Sequence, residues 1–250
     1  GLTTVLDVKI MDYPTHAASL PVCMIPNCAA TRHTHFKLNG NGPAVLTPPS
    51  LDEWPEVTFE VGSNTRRVDL DTVTPEDVLS WEPGETVLLS GKMLTGRDAA
   101  HKRLVATLEA GQTLPIPLAG QVIYYVGPAP ARPGDIIGPA GPTTASRVDP
   151  YTLPLLTYGL KGMIGKGKRG PMVRDALVRH TALYLVTVGG AAALVANCIK
   201  KVELVAYHDL GTEAIRRLEV VDFPLVVAHD AHGADLFELG QVTYRRKGEK

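Results

Sequence analysis

The sequence predicts an α/β fold, and three observations support this class. Segments with the pattern of strands and of helices alternate along most of the 250 residues. Glycine-rich junctions separate many of these segments, as is typical of turns between strands and helices. Hydrophobic residues make up 44% and charged residues 20% of the chain, which is ordinary for a globular protein.

The first part of the chain lacks this alternation. Residues 1–58 are irregular, and four prolines lie near the end of the segment, at Pro43, Pro48, Pro49 and Pro55. We therefore place a boundary after residue 58. The expected organisation is one segment over 1–58 and an α/β domain over 59–250.

The domain begins with short elements. Residues 57–61 and 66–70 have the two-residue period that is typical of strands, and they predict two strands joined by a hairpin turn at Ser63 and Asn64. Thr74 and Pro75 predict the start of a short helix, followed by a strand at 86–91. Apolar residues at helical spacing predict a helix over 99–110, which Gly111 ends.

The second half continues the same alternation. We predict strands at 121–128, 162–165, 182–188, 202–207, 219–220 and 225–229, and helices at 155–162, 174–180 and 190–200. No internal repeat is visible.

Residues 141–150 have the composition of an anion-binding loop. Gly-Pro begins the stretch and Asp-Pro ends it, which predicts irregular backbone. Thr143 and Thr144 carry hydroxyl groups, and Arg147 carries a planar guanidinium suited to a carboxylate or a phosphate. A capped helix start with a surface arginine would explain the same residues.

Two further cations follow predicted strands. Arg97 comes after the strand that begins at residue 86, and Lys166 follows the strand at 162–165. Ligands of open α/β sheets bind beyond the carboxyl ends of strands, so three cations from three loops would suit a small molecule with more than one carboxylate. Taken singly, each cation would more commonly be a solvated surface charge.

Cysteine and histidine give a weaker signal. The chain has three cysteines, Cys23, Cys28 and Cys198, and no CxxC pair, which argues against a disulfide framework and a self-contained zinc site. His16 is the most versatile proton carrier in the chain, although a lone histidine in such a context is more often structural than catalytic. We interpret two histidine clusters as structural or solvated: His33 with His35, and His229 with Asp230 and His232.

Charge and hydropathy exclude some partners. The net charge is −1, so there is no overall electrostatic case for nucleic acid or an anionic membrane surface as a partner. No apolar run reaches the roughly 18 residues of a membrane span. We expect a soluble, cytoplasmic protein. Because the chain begins at Gly1 without an initiator methionine, we also expect a piece of a longer protein.

Six motifs occur in order along the chain. They are HAASLPV at 16–22, IPNCAATRH at 25–33, LTGRDAAH at 94–101, YVGP at 125–128, GPTT at 141–144 with RVDPY at 147–151, and IGKG at 164–167. Together they resemble the class I, iron-sulfur-dependent fumarate hydratases, a family that also includes the two-subunit tartrate dehydratases. The resemblance runs almost end to end.

The resemblance implies an architecture and a cofactor. It implies that 1–58 is the end of a cluster-binding domain and that 59–250 is a swivelling β/β/α domain. Cys28 matches one of three cysteines that hold a [4Fe-4S] cluster, and the other two ligands are expected outside this chain. The implied partners are a dicarboxylate substrate, a cluster-bearing amino-terminal domain or subunit, and a second copy of the complete enzyme in a homodimer.

The resemblance also assigns site residues. His16, Arg97, Thr143, Arg147 and Lys166 match substrate-contacting positions, and Thr143 matches a proposed catalytic base, with His16 as a second catalytic candidate. The implied reaction is the reversible hydration of fumarate to (S)-malate. Two alternatives stay open: a related reaction on tartrate or mesaconate, and a non-catalytic subunit that needs a cluster-bearing partner.

Overall fold

The computed structural model describes residues 65–187 and 191–245. The chain divides into two compact units, Gly1–Phe59 and Glu60–Lys250, and all described residues belong to the second. The predicted strand at 57–61, its hairpin turn and the whole of segment 1–58 lie outside the described residues.

The described elements alternate as the sequence predicts. The strands are β1 (Arg66–Asp69), β2 (Thr86–Thr95), β3 (Val122–Tyr124), β4 (Gly162–Gly165), β5 (Leu183–Val186), β6 (Ile199–Ala206) and β7 (Ile215–His229). The helices are α1 (Pro75–Leu79), α2 (Asp98–Glu109), α3 (Asp149–Thr157), α4 (Pro171–His180), α5 (Ala192–Cys198) and α6 (Leu236–Tyr244). Two 3₁₀ helices cover Ala145–Val148 and His208–Glu213.

The strands form one sheet that closes on itself. Its order is β1-β2-β3-β4-β5-β7-β6, and β2 also pairs with β7. Strands β2, β3, β4 and β5 run parallel, whereas β7 is antiparallel to both β2 and β5. The pairing of β2 with β7 therefore closes a small barrel of β2, β3, β4, β5 and β7.

Two hydrophobic clusters lie on opposite faces of this sheet. Alternating residues of β3 divide between them, with Ile123 in the first cluster and Tyr124 in the second. The first cluster packs the sheet against α2, α3 and α4. The second draws its side chains mainly from the barrel strands, with Phe223 edge-on to Tyr124. The α/β class is thus confirmed, and the swivelling movement stays a prediction.

Local sequence explains the first helix. The Thr74 hydroxyl accepts a hydrogen bond from the Asp77 amide, and the Asp77 carboxylate accepts one from the Thr74 amide. This reciprocal pair is a capping box. Pro75 occupies the first turn, where its missing N–H costs nothing.

Two sequence predictions need correction. Residues 141–150 are not irregular throughout, because a 3₁₀ helix begins at Ala145 and α3 begins at Asp149 rather than at the predicted residue 155. The strands predicted separately at 219–220 and 225–229 are one strand, β7. No helix among the described residues has both the length and the apolar character required to cross a membrane.

Candidate functional site

The carboxyl ends of three neighbouring parallel strands meet at one edge of the sheet. Arg97 follows β2 by two residues, Tyr125 directly follows β3, and Lys166 directly follows β4. Backbone hydrogen bonds continue across this edge, from the Gly96 amide to the Tyr124 carbonyl and from the Tyr125 amide to the Ile164 carbonyl. The expected convergence of loops at strand ends is therefore present.

Thr143 and Lys166 are held together by their backbones. The Thr143 amide and its Oγ1 hydroxyl both donate to the Tyr125 carbonyl, at 2.8 and 3.0 Å. The Lys166 amide donates to the Thr143 carbonyl, and the Lys166 carbonyl accepts from the Ala145 amide. Among the described residues, no carboxylate forms an ion pair with Lys166.

Close packing at Gly165 fixes this arrangement. A Cβ atom at Gly165 would lie 2.8 Å from Tyr125 Cδ2 and 3.3 Å from the Thr143 carbonyl oxygen. The contact with Tyr125 is shorter than real Cβ atoms make and the contact with Thr143 is tight, so glycine permits the strand end and the Thr143 segment to approach.

Arg97 begins α2, and its side chain is almost completely buried. The side chain is 11% exposed, and Nη2 lies 3.7 Å from Glu213 Oε1 and 3.9 Å from Asp98 Oδ2. The backbone of Gly127 packs against it, since a Cβ atom there would lie 2.9 Å from both Arg97 Cδ and Nη1. The buried Nε has no hydrogen-bond partner among the described residues.

Arg147 approaches the same aspartate from the 3₁₀ helix. Its Nη2 lies 3.7 Å from Asp98 Oδ2, but half of its side chain is exposed. Asp98 therefore stands between the two arginines, at a distance from each that exceeds a hydrogen bond. The structure brings together both predicted substrate-binding arginines around one carboxylate.

A buried arginine that the sequence analysis did not single out connects the loops. Arg169 has no exposed side-chain area, and its Nε donates to Asp149 Oδ1 at 2.6 Å. Its two other nitrogens donate to the hydroxyls of Tyr125 and Thr152. The guanidinium also stacks near the rings of Tyr125 and Tyr184. The Tyr184 hydroxyl in turn donates to the Gly167 carbonyl.

These contacts join the segments that carry the candidate residues. Arg169 follows Lys166 by three residues, Asp149 follows Arg147 by two, and Tyr125 accepts from Thr143. Buried charges require a partner, and the carboxylate of Asp149 provides it. The short basic run from Lys166 to Arg169 is the sequence signal that could have pointed to this residue.

His101 supports Arg97 from within α2. It is fully buried, and its Nδ1 lies 2.8 Å from the Arg97 carbonyl oxygen. A carbonyl only accepts, so Nδ1 carries the proton, and in the neutral ring Nε2 carries none. Burial lowers the pKa of His101 to about 4, and the hydrogen bond to Arg97 opposes this only in part.

The described residues contain no candidate set of metal ligands, since no group of three or more His, Cys, Asp or Glu side chains is arranged to hold an ion there. Cys198 is a half-buried thiol whose pKa is raised by burial. Its Sγ lies near the Leu194 and Asp222 carbonyls, as expected of a structural residue. The cluster ligand predicted at Cys28 and the catalytic candidate His16 lie outside the described residues, as do His33 and His35.

The second histidine cluster is structural in its contacts. His229 is buried against Tyr184 and Phe237, and desolvation lowers its pKa. Asp230 accepts hydrogen bonds from the His232 and Ala234 amides. These contacts agree with the predicted structural role of 229–232.

Comparison with known proteins identifies the family. The model of the Fumarase C-terminus family matches residues 40–240. The chain belongs to this family. The model of a second family, Fumarate hydratase (Fumerase), matches residues 1–37.

Individual relatives agree with this membership. "Fumarate hydratase class I, aerobic" of Salmonella typhimurium is 38% identical over 240 residues, which cover 93% of this chain and 41% of that protein. "Fumarate hydratase class I, anaerobic" of Escherichia coli is 37% identical, covering 93% of this chain and 44% of that protein. The chain thus spans less than half the length of these fumarase relatives.

A shorter relative aligns along most of its own length. A Methanocaldococcus jannaschii protein, provisionally named L(+)-tartrate dehydratase subunit beta, is 34% identical over 172 residues. The match covers 66% of this chain and 88% of that protein. The relatives that this chain matches are therefore named for two different substrates, fumarate and L(+)-tartrate.

Proposed function

We propose that this chain takes part in the reversible hydration of fumarate to (S)-malate and that its described domain binds the substrate carboxylates. The observation that carries the proposal is the meeting of three parallel strand ends. Arg97 follows β2, Thr143 is hydrogen-bonded to Tyr125 at the end of β3, and Lys166 follows β4. Arg147 approaches the same edge through Asp98, which also lies near Arg97. The class I fumarate hydratase names of its relatives give the reaction.

The arginines suit the two carboxylates of such a substrate. The Arg97 side chain is largely buried but keeps 11% exposure, so a carboxylate can reach the exposed part of its guanidinium, while the buried Nε has no hydrogen-bond partner among the described residues. Arg147 is half exposed, and the pairing with Asp98 is too long to be a strong hydrogen bond. A substrate carboxylate can therefore compete with Asp98 for Arg147.

Lys166 and Thr143 suit the charge and the proton of the reaction. Hydration places negative charge on the carbon chain next to a carboxylate. The ammonium of Lys166, which has no carboxylate partner in the described part of the chain, can stabilise that charge. Thr143 is oriented by its hydrogen bond to the Tyr125 carbonyl, which accepts but cannot remove a proton. As a base, Thr143 would need a nearby proton acceptor such as His16 or a cation that lowers its pKa.

The family resemblance implies a [4Fe-4S] cluster, and the described residues do not offer a ligand set that fits one. When bound, such a cluster would act as the Lewis acid that holds the hydroxyl group. We place its ligands at Cys28 and in a cluster-bearing domain or subunit. We further propose that the complete enzyme forms a homodimer and lies in the cytoplasm. We also propose that the domain over 59–250 makes a swivelling movement.

Tartrate is the second candidate substrate. The match to the provisionally named tartrate dehydratase subunit of Methanocaldococcus jannaschii favours it, since that protein aligns over 88% of its length. Loss of water from tartrate would use the same cations for its two carboxylates. Mesaconate, a methyl-substituted fumarate, is a further alternative.

Anaerobic turnover of fumarate, mesaconate and tartrate by the complete, cluster-loaded enzyme tests the proposal. We expect fumarate to be preferred. Arg147→Ala should lower kcat/KM by roughly 100-fold or more, because it removes a carboxylate contact from the transition state. Arg179→Ala, an exposed arginine of α4, is the control and should retain activity. Near-normal kinetics of Arg147→Ala would contradict the proposed role.

A further inference from the structure

Glu213 is a buried carboxylate that faces Arg97 from a distant part of the chain. It lies at the end of the 3₁₀ helix His208–Glu213, and its side chain is 8% exposed. Its two oxygens have separate contacts. Oε2 accepts a hydrogen bond from the Ala99 amide at 3.0 Å, and Oε1 lies 3.7 Å from Arg97 Nη2.

The contact with Ala99 fixes the start of α2. Arg97 is the N-cap residue of that helix and makes no side-chain capping bond. Glu213 therefore satisfies a free amide of the first turn from outside the helix, and its charge suits the positive end of the helix dipole. The backbone that presents Arg97 is held by the same carboxylate that faces its guanidinium.

Glu213 is also better shielded from water than the other carboxylate near Arg97. Asp98 is 38% exposed and is shared with Arg147. Charges interact more strongly where water is excluded. The principal counter-charge of the buried Arg97 is therefore Glu213, which leaves Asp98 able to exchange with a substrate carboxylate.

We propose that Glu213 is a positioning residue, which holds the Arg97 guanidinium in the orientation that receives a substrate carboxylate. The inference rests on the proposed function in one respect, the assignment of Arg97 to substrate binding. A purely structural role would be helix capping alone. The two roles differ in what they require: capping needs an acceptor oxygen, whereas holding Arg97 needs a negative charge.

Glu213→Gln separates these roles, because glutamine keeps an acceptor for the Ala99 amide and loses the charge. In the complete, cluster-loaded enzyme, we measure KM and kcat for fumarate, and the Kd of the unreactive dicarboxylate succinate by calorimetry. We expect KM and the succinate Kd to rise about 10-fold, as for a misplaced rather than a missing contact, with Tm nearly unchanged. Unchanged or tighter succinate binding would overturn the inference.

Asp209→Asn is the matched control. Asp209 lies in the same 3₁₀ helix and also binds α2, through two 2.8 Å hydrogen bonds from Arg103, but it is exposed. Its loss should leave KM and succinate binding unchanged. An effect of this control as large as that of Glu213→Gln would overturn the inference, because loosening of the 3₁₀ helix would then explain both.

A double-mutant comparison tests whether Glu213 acts through Arg97. In an Arg97→Lys background, Glu213→Gln should have a much smaller effect on succinate binding, and full additivity would contradict the inference. If Glu213→Gln weakens succinate binding but the wild-type enzyme does not hydrate fumarate, the proposed function alone is rejected. Hydration with no dependence on Glu213 would reject this inference alone, and an enzyme that binds no dicarboxylate would reject both.

Discussion

His101 and Arg97 illustrate how one residue's environment determines another's position. His101 donates to the Arg97 carbonyl through both its backbone amide and Nδ1, at 2.9 and 2.8 Å. Its ring packs edge-on against Tyr125, which itself accepts from Thr143. The neutral, buried imidazole of His101 therefore connects the backbone of Arg97 to Tyr125, whose carbonyl binds Thr143.

Protonation of His101 should destabilise the fold below neutral pH. The pKa is 6.5 in the unfolded chain and about 4 in the folded protein, so the unfolded state binds the proton first. Stability is full above pH 6.5 and falls as the pH approaches 4. A pKa difference of about 2.5 corresponds to a loss of about 3 kcal/mol.

Urea unfolding between pH 7.5 and pH 4 checks this expectation. In His101→Gln, the free energy of unfolding should lose this part of its pH dependence, so the difference between wild type and variant shrinks on acidification. His208→Gln, an exposed position, controls for loss of a histidine as such. Parallel curves for wild type and His101→Gln would contradict the assigned pKa.

At the scale of elements, the start of α3 depends on a contact that local sequence does not contain. Asp149 begins the helix, and its carboxylate accepts from Arg169 Nε and from the Gly170 amide. Sequence rules place an interruption at Asp149-Pro150, because Asp-Pro is typical of turns. The tertiary contact with Arg169 stabilises a helix there instead, with Pro150 in its first turn.

Strand β7 has a similar explanation. Pro224 predicts a break between two short strands, since proline lacks the N–H that a central strand uses. In the structure, Pro224 pairs with Leu88 of β2 at a point where β6 and β5 do not pair with β7. The proline is tolerated because one side of the strand is unpaired there.

The site residues that could be predicted from the sequence are those marked by a local pattern, and the ones missed depend on contacts between distant parts of the chain. Arg97 and Lys166 were visible because each follows a predicted strand. Thr143 and Arg147 were visible because residues 141–150 have the composition of an anion-binding loop. Glu213 was not, since it lies 114 residues from its hydrogen-bond partner Ala99 and no local pattern marks it. The prediction of roles for all of these residues still awaits measurement.

Asp149→Ala should lower the free energy of unfolding by about 3 kcal/mol. The reason is that the fully buried guanidinium of Arg169 loses its counter-charge, and breaking a buried pair costs about 3 to 5 kcal/mol. Partial exposure of Asp149, at 21%, favours the lower end. Denaturant titration measures the change.

The exposed pair of Arg217 and Glu203 provides the control. Glu203 is 55% exposed, and Glu203→Ala should cost less than about 1 kcal/mol. Equal effects of the two substitutions would indicate that the Arg169–Asp149 pair behaves as a surface pair.

At the scale of the whole molecule, closure of the sheet predicts an independent folding unit. All described strands and helices, and both hydrophobic clusters, lie within Glu60–Lys250. The pairing of β2 with β7 joins strands that are far apart in sequence, so the barrel forms only when most of this unit is present. We expect the fragment 60–250 to unfold in one cooperative transition, measured by circular dichroism in urea.

Phe223→Ala tests whether that transition reports the barrel core. Phe223 has no exposed area, and its truncation should lower the free energy of unfolding of the fragment by about 3 to 5 kcal/mol. A fragment without a cooperative transition would mean that the unit needs residues 1–59 to fold. A folded fragment should nevertheless fail to hydrate fumarate, because it lacks the proposed catalytic residue His16 and the proposed cluster ligand Cys28. Folding and catalysis would then be separable, since the barrel needs only its own strands whereas the proposed site needs a cluster-bearing partner.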